Sequence, residues 1–162
     1  MNNIRSQNAL PAFALILAGL FIFIFGIADN YAYLDEIYFA DPAINFLQGN
    51  GYATTAWFVT RQFATHVSTA PAYSLSLILW LKLWGISQTA VRTLPAVLAL
   101  TSVLVLWRAC LRYGWIRSGL AGTVLIGVAI MDYGYAFSFT CGRPDSLSVS
   151  YTHLTLPTIL RV

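Results

Sequence analysis

Three long apolar runs alternate with polar, aromatic-rich segments along the chain. The first, Leu10–Ala28, is 19 residues without a polar interruption, close to the roughly 20 residues that a helix needs to cross a bilayer. The other two are Thr93–Trp107 with its flanking residues and Leu120–Phe139. The first run is longer than the apolar part of a signal peptide, and no small-x-small cleavage site follows it. The pattern predicts about three transmembrane helices, with residues 1–8 in the cytoplasm.

A fourth apolar segment, Pro71–Trp84, is only 14 residues long. That length is typical of an interfacial or re-entrant helix, and a full span is the alternative. If the segment spans, the Arg-rich stretch 108–117 lies outside the cell. If it only dips into the bilayer, that stretch is cytoplasmic, and Asp35 and Asp145 lie at one membrane face. Because Lys and Arg are enriched in cytoplasmic loops, the second topology is favoured.

The segment after the first run predicts an amphipathic helix lying on the membrane surface. Apolar residues recur at helical spacing, at Ile37, Ala40, Ile44 and Leu47, and a polar face carries Asp41, Asn45 and Gln48. Pro42 either kinks this helix or begins a shorter one with Asp41 as its N-cap. The run Gly49-Asn50-Gly51 is expected to end it.

Composition supports the same class. The 162 residues are 58% hydrophobic and 9% charged, whereas a soluble domain carries about 25% charged residues. Mean hydropathy is +0.68. The net charge is +3, but the basic residues lie between the apolar runs and so indicate topology, with no nucleic-acid partner. We therefore expect an all-α, polytopic membrane protein with additional interfacial helices.

Two polar motifs could carry chemistry. Asp35-Glu36 follows the first apolar run, and a carboxylate there can act as a general base or bind a metal. The structural alternative is that Asp35 caps the amphipathic helix with Glu36 in its first turn. In the second motif, Arg143 and Asp145 flank Pro144 after the last apolar run. A turn followed by a helix cap is the alternative reading of that motif.

Three stretches resemble, in order, motifs of the polytopic glycosyltransferases with the GT-C fold. They are LDEIYFADPAINFLQGNGY (34–52), TAPAYSLSLILWLKLWGISQTAVRTLPAVLAL (69–100) and GRPDSLS (142–148). The first is similar to the family's first loop, with an acidic pair, an amphipathic helix and glycine beside an aromatic residue. The second is similar to a Pro-aromatic segment, a Trp-Gly-x-Ser turn and an Arg-Leu-Pro helix start. The third looks like the second acidic motif. Glycosyltransferase family 39 is the group that the chain most resembles. Protein O-mannosyltransferases and lipid A aminoarabinose transferases are relatives of that group.

The resemblance implies a bacterial inner-membrane enzyme with its active-site loops in the periplasm. Such an enzyme transfers a sugar from a polyprenyl-phosphate donor to a lipid, protein or glycan acceptor. The resemblance also implies that Asp35 is the catalytic base and that Glu36 supports binding of the acceptor or of a divalent metal. Asp145 would belong to the second acidic site, and Arg143 could contact phosphate. Arg92 could meet a lipid phosphate or serve only as an interface anchor. The donor sugar and the need for a metal stay open.

The resemblance covers about Leu10–Leu147 and departs from the family in two places. Pro42 is unusual within the first-loop helix. Thr69-Ala70-Pro71 stands where the family often has His or a second Pro, and His66 is out of register with that position. Because family members are several hundred residues long, residues 1–149 are expected to be an N-terminal part whose isolated activity is lost. Residues 150–162 are expected to be a non-native tail.

A rival interpretation is a small non-enzymatic membrane protein, either a fragment of a transporter or a subunit of a complex. In that case Asp35, Arg143 and Asp145 would act only as helix caps and interface anchors.

Overall fold

The computed structural model describes residues 2–22, 24, 27, 32, 34–55, 70–115, 119–131 and 145. All regular structure in these residues is helical, which confirms the all-α prediction. The helices are α1 (Asn2–Ile22), α2 (Leu34–Leu47), α3 (Pro71–Trp84), α4 (Gln88–Arg112) and α5 (Gly119–Met131). The expected tail, 150–162, lies outside the described residues, as do His66 and Arg143.

Helix α2 begins at Leu34, so Asp35 and Glu36 both lie in its first turn. Negative charge is favourable there because the N-terminal end of a helix carries partial positive charge. Asp35 is therefore not the N-cap, because the capping residue of a helix precedes its first turn. The helix also continues through Pro42, which is buried. Asp41 consequently lies inside the helix, and the interpretation of Asp41 as the N-cap of a shorter helix is wrong.

The predicted end of α2 is confirmed and has a specific geometry. The Asn50 N–H donates to the Asn45 carbonyl at 2.9 Å, and the Gly49 N–H donates to the Phe46 carbonyl at 3.2 Å. This pair of bonds is the Schellman motif, which satisfies the last carbonyls of a helix. It requires a left-handed residue at Gly49, whose φ is +82°, and glycine takes that conformation without a steric penalty.

A three-residue turn joins α3 to α4. Helix α3 has the bounds Pro71–Trp84 that its apolar pattern predicts, and 14 residues give it a length of about 21 Å. That is shorter than the roughly 30 Å of a bilayer's hydrocarbon core. Gly85, with φ of +82°, ends α3. Ser87 caps α4, because its side-chain oxygen accepts from the Ala90 N–H at 3.1 Å.

Helices α1, α4 and α5 form a bundle in which α4 runs antiparallel to the other two. At one end of the bundle, a Cβ atom on Gly122 of α5 would lie 3.0 Å from Trp107 Nε1 and 3.5 Å from Pro11 Cγ. At the other end, Ile27, just beyond α1, packs against Ala96 near the start of α4. The start of α1 therefore lies beside the end of α4 and the start of α5.

Helices α2 and α3 pack side by side against the first turns of α4. Their shared core consists of Ala40, Ala43, Tyr73, Leu77, Ile78, Leu81, Ala90, Val91 and Leu94. The Trp80 indole N–H adds a hydrogen bond of 3.1 Å to the Thr93 hydroxyl. Since the α4 members of this core all fall between residues 90 and 94, α3 lies at the N-terminal end of α4 and not along its length.

Large apolar side chains cover the outer faces of α1, α3 and α5. Those at least half exposed include Phe13, Ile16, Leu20, Leu79, Leu83, Leu120 and Val128. Soluble monomers rarely expose contiguous apolar surface on this scale. Within the described residues, α4 alone is long and apolar enough to cross a membrane, and the apolar parts of α1 and α5 are shorter. The predicted spans 10–28 and 120–139 extend beyond the described residues.

Gly122 provides a test of the bundle. We expect Gly122→Val to destabilise the protein by about 1–3 kcal/mol, the usual effect of overpacking a filled interior, because the new side chain meets the Trp107 indole. Gly127→Val is the matched control: it lies in the same helix, and a Cβ atom there meets nothing within 4 Å. Thermal unfolding in detergent micelles measures the difference. Equal losses in the two variants would contradict the packing at Gly122.

Candidate functional site

A buried ion pair joins the first turn of α2 to α4. Arg92 donates from Nε to Glu36 Oε1 at 2.8 Å and from Nη2 to Glu36 Oε2 at 3.0 Å. The two side chains are 3% and 4% exposed. A two-point contact of this kind aligns the planar guanidinium with the carboxylate and fixes their relative orientation. The sequence placed both residues in the site, and the structure brings them into direct contact.

Two adjacent residues of α3 carry buried hydroxyls, and the first of them, Tyr73, lies within electrostatic range of Glu36. Tyr73 and Ser74 are both 0% exposed, and neither hydroxyl has a hydrogen-bond partner among the residues that the structure describes. The Tyr73 ring packs edge-to-face on Phe39, with ring centroids 6.2 Å apart. Burial raises the pKa of the Tyr73 hydroxyl well above its ordinary value, and the Glu36 carboxylate raises it further. Tyr73 is therefore a neutral donor beside a carboxylate.

Asp41, one and a half turns after Glu36, fixes the loop that follows α2. Its carboxylate accepts from the Thr54 hydroxyl at 2.8 Å and from the backbone N–H of Thr55. Asn45 adds a bond from Nδ2 to the Ala53 carbonyl at 2.9 Å. Two residues of the predicted polar face of α2, Asp41 and Asn45, thus bind the loop that follows the helix.

A pocket of about 330 Å³ lies between α2 and the start of α4. We call it the α2–α4 pocket. It is lined by Ala32, Glu36, Ile37, Ala40, Asp41, Ile44, Ile86, Ser87, Gln88 and Val91. Most of this wall is aliphatic. Its polar atoms come from two carboxylates on α2 and from the capping turn of α4.

The proposed catalytic residue Asp35 is half-buried in the first turn of α2, but it does not line the α2–α4 pocket. A helix turns by about 100° per residue, which puts Asp35 on the opposite side of α2 from the stripe that faces the pocket. Asp145 is half-buried, and Arg143 lies outside the described residues. Among the predicted site residues that the structure describes, Glu36 and Arg92 are in direct contact.

Three residues at the site were not predicted from the sequence: Tyr73, Asp41 as a loop anchor, and Gln88. No local pattern marked Asp41 as a loop anchor, because its partners Thr54 and Thr55 lie 13 and 14 residues away. Tyr73 lies in the stretch that resembles the Pro-aromatic segment, and nothing in the sequence marked its hydroxyl as part of a site. No local pattern marks Gln88, whose role depends on the pocket.

Among the described residues, no group of three His, Cys, Asp or Glu side chains comes together in a way that could hold a metal ion. Comparison of the chain with family models, with curated proteins and with solved structures gave no match.

A double-mutant cycle tests the ion pair. Arg92→Met leaves Glu36 buried without its cation, and we expect a loss of about 3–5 kcal/mol in unfolding free energy. The double variant Glu36→Leu/Arg92→Met should lose less than Arg92→Met alone, because no buried charge remains. Lys82→Met, at an exposed basic residue of α3, is the control, with a change within about 0.5 kcal/mol. The cycle also includes the single variant Glu36→Leu. If the double variant loses as much stability as Glu36→Leu and Arg92→Met lose in total, the two residues are not coupled.

Unlike Arg92→Met, the variant Tyr73→Phe is not expected to destabilise the protein. Because the hydroxyl is buried without a partner, its removal should leave stability unchanged or raise it by up to about 1 kcal/mol. Chemical denaturation in mild detergent measures this, with Leu77→Ala as the destabilising reference because that side chain is fully buried in the same helix. A loss of more than about 1 kcal/mol in Tyr73→Phe would show that the hydroxyl has a partner, such as an ordered water.

Proposed function

We propose that this chain is the N-terminal part of an inner-membrane glycosyltransferase, which moves a sugar from a polyprenyl-phosphate donor to an acceptor at the periplasmic face. The proposal rests on the three stretches that resemble family motifs in order, and on one structural observation. That observation is the buried Glu36–Arg92 pair, which connects the first-loop stretch to the start of α4, where Arg92-Thr93-Leu94-Pro95 resembles the family's helix start. Two stretches that resemble the family motifs are thus in contact although they lie far apart in sequence.

In this proposal Asp35 is the base that takes the proton from the attacking acceptor group. Its backbone neighbour Glu36 is fixed by Arg92, so the first turn of α2 has one orientation, as a base that must be held near its acceptor requires. Arg92 then acts by holding α2. Its charge is neutralised by Glu36, and phosphate binding falls to Arg143 in the second motif.

Membrane insertion is part of the same proposal, and the charge distribution supports it. Exposed Arg108 and Arg112 lie at the far end of α4 from Glu36, an asymmetry that favours a cytoplasmic location for that end. The antiparallel directions of α1 and α4 agree with this topology. Several helix hydroxyls also bond to the carbonyl four residues earlier, as they do in apolar surroundings: Ser76, Thr101, Ser102 and Thr123.

Replacement of Asp35 tests the catalytic role. In the full-length protein that carries this sequence, Asp35→Asn should lower sugar transfer by about 10²–10⁴-fold, the range expected when a general base is lost. Asp41→Asn is the matched control. It removes a carboxylate from the same helix but keeps an acceptor oxygen for the loop, so transfer should stay within about tenfold. Transfer of radiolabelled sugar from membrane extracts measures both, and full activity in Asp35→Asn would remove Asp35 from the role of base.

Membrane topology distinguishes the proposed glycosyltransferase from the rival interpretation, a non-enzymatic membrane protein. Single cysteines at positions 35 and 145, in a chain without Cys110 and Cys141, should react with a membrane-impermeant maleimide from the same side. Labelling from opposite sides would exclude a shared active-site face and favour the rival.

A further inference from the structure

We propose that the C-terminal end of α4 binds an anionic phospholipid of the cytoplasmic leaflet. Arg108 and Arg112 hold the phosphate of this lipid, and one of its acyl chains lies in a groove between α1 and α4. This inference rests on the membrane topology given under the proposed function, and it is independent of sugar transfer.

Two exposed arginines stand one helical turn apart near the end of α4. Arg108 and Arg112 are four residues apart, which puts them on one face of the helix. In the part of the chain that the structure describes, neither guanidinium forms an ion pair. Within their bounds, the bundle helices α1, α4 and α5 contain no Asp or Glu. The bundle helices therefore leave both positive charges uncompensated, and one phosphate can accept hydrogen bonds from both.

The end of α4 does not depend on these arginines for its caps. A basic side chain in the last turn can bond the final carbonyls of a helix. Here the Trp115 N–H donates to the Cys110 carbonyl at 3.0 Å, and the Gly114 N–H donates to the Leu111 carbonyl at 3.2 Å. These two bonds form a second Schellman motif, with Gly114 at a φ of +70°. Because backbone groups satisfy these carbonyls, the guanidinium groups are available to a ligand.

The aromatic residues of the same turn fix the depth of this helix end. The rings of Tyr113 and Trp115 are 5.8 Å apart between centroids, and Trp115 is 69% exposed. Such side chains concentrate at the membrane–water interface. Four residues of helix rise by about 6 Å, and the head-group layer of one leaflet is about 5–8 Å thick. The two arginines therefore cover the layer in which lipid phosphates lie.

An apolar groove continues from the arginines along α4. It lies between α1 and α4, has a volume of about 380 Å³, and its described wall includes Ile16, Gly19, Val97 and Leu104. Leu104 precedes Arg108 by one turn on the same face of α4. Val97 precedes Arg108 by 11 residues, a rise of about 16 Å, and one leaflet contains roughly 15 Å of hydrocarbon. An acyl chain attached to the bound phosphate thus has the length of the groove.

Charge selects an anionic lipid over a zwitterionic one. Anionic head groups give the cytoplasmic leaflet its negative surface potential and attract basic residues that lie close to the membrane. A zwitterionic head group also carries a cation, which the two guanidinium groups repel. The topology proposed above puts this end of α4 in the cytoplasm, where the anionic lipids are.

Native mass spectrometry of the chain in detergent micelles tests the head-group contact. The probes are phosphatidylglycerol and phosphatidylcholine with identical dioleoyl chains, and phosphatidylglycerol should bind at least fivefold more tightly. Arg108→Gln and Arg112→Gln should each weaken phosphatidylglycerol binding about fivefold, the contribution of one basic residue at an anionic surface. Lys82→Gln is the matched control, because it removes one exposed positive charge at the end of α3, and its effect should stay within twofold.

A second pair of variants tests the acyl chain. A Cβ atom on Gly19 would lie 3.5 Å from Leu100 Cδ1, an ordinary contact, whereas a Cβ atom on Gly127 of α5 would meet nothing within 4 Å. Gly19→Leu should fill the groove and weaken phosphatidylglycerol binding at least fivefold, and Gly127→Leu should leave it within twofold.

Three results would overturn the proposal: equal binding of the two lipids, equal losses in Lys82→Gln and the arginine variants, or displacement of phosphatidylglycerol by millimolar inorganic phosphate, which would indicate a site for the free anion. Each of these leaves the proposed function untouched when sugar transfer by the full-length protein persists. Release of the chain from membranes by alkaline carbonate would instead refute the membrane topology, and with it the proposed function.

Discussion

The bidentate contact between Glu36 and Arg92 is the interaction on which the rest of the described structure depends. Removing two charges from water is unfavourable by several kcal/mol for each ion, and only near-ideal geometry offsets it. The two bonds of 2.8 and 3.0 Å provide that geometry. Because the carboxylate belongs to the first turn of α2 and the guanidinium to the second turn of α4, their alignment sets how these helices cross.

Other features follow from this crossing. Helix α3 fills the angle between α2 and α4 and presents Tyr73 to the acidic side of the pair. The polar residues Asp41 and Asn45 of α2 hold the loop that follows the helix. The space between α2 and the capping turn of α4 remains as the α2–α4 pocket. The site is thus the product of one buried charge pair between helices that otherwise meet through small and aliphatic side chains.

Local features of the fold could be predicted from the sequence, and long-range ones could not. The bounds of α3 and the glycine end of α2 depend on residues within one or two turns, so their pattern is sufficient. The contact between Glu36 and Arg92 joins residues 56 positions apart, and no periodicity encodes such a partner. The resemblance to a family placed both residues in one site but gave Arg92 either a lipid phosphate as its partner or the role of an interface anchor.

Only part of the site could be predicted, because the roles of Asp41 and Gln88 also depend on contacts that are distant in the sequence. Asp41 looked like a helix start because Pro42 follows it, and local propensity favours that arrangement. Packing of the buried Pro42 against its neighbours let the helix continue, so the carboxylate became an anchor for Thr54 and Thr55. Gln88 matters only because two helices leave a pocket beside it, which a one-dimensional pattern does not contain.

The separation of the ion pair also sets an order of assembly. At translation rates of about 5–20 residues per second, Glu36 leaves the ribosome about 3–11 seconds before Arg92. During that interval its carboxylate has no cation and must stay hydrated, so α2 has to remain at the water-facing surface. The α3–α4 hairpin, joined by a three-residue turn, can form as soon as both of its helices exist. Docking of α2 on α4 therefore has to wait for the guanidinium group of Arg92.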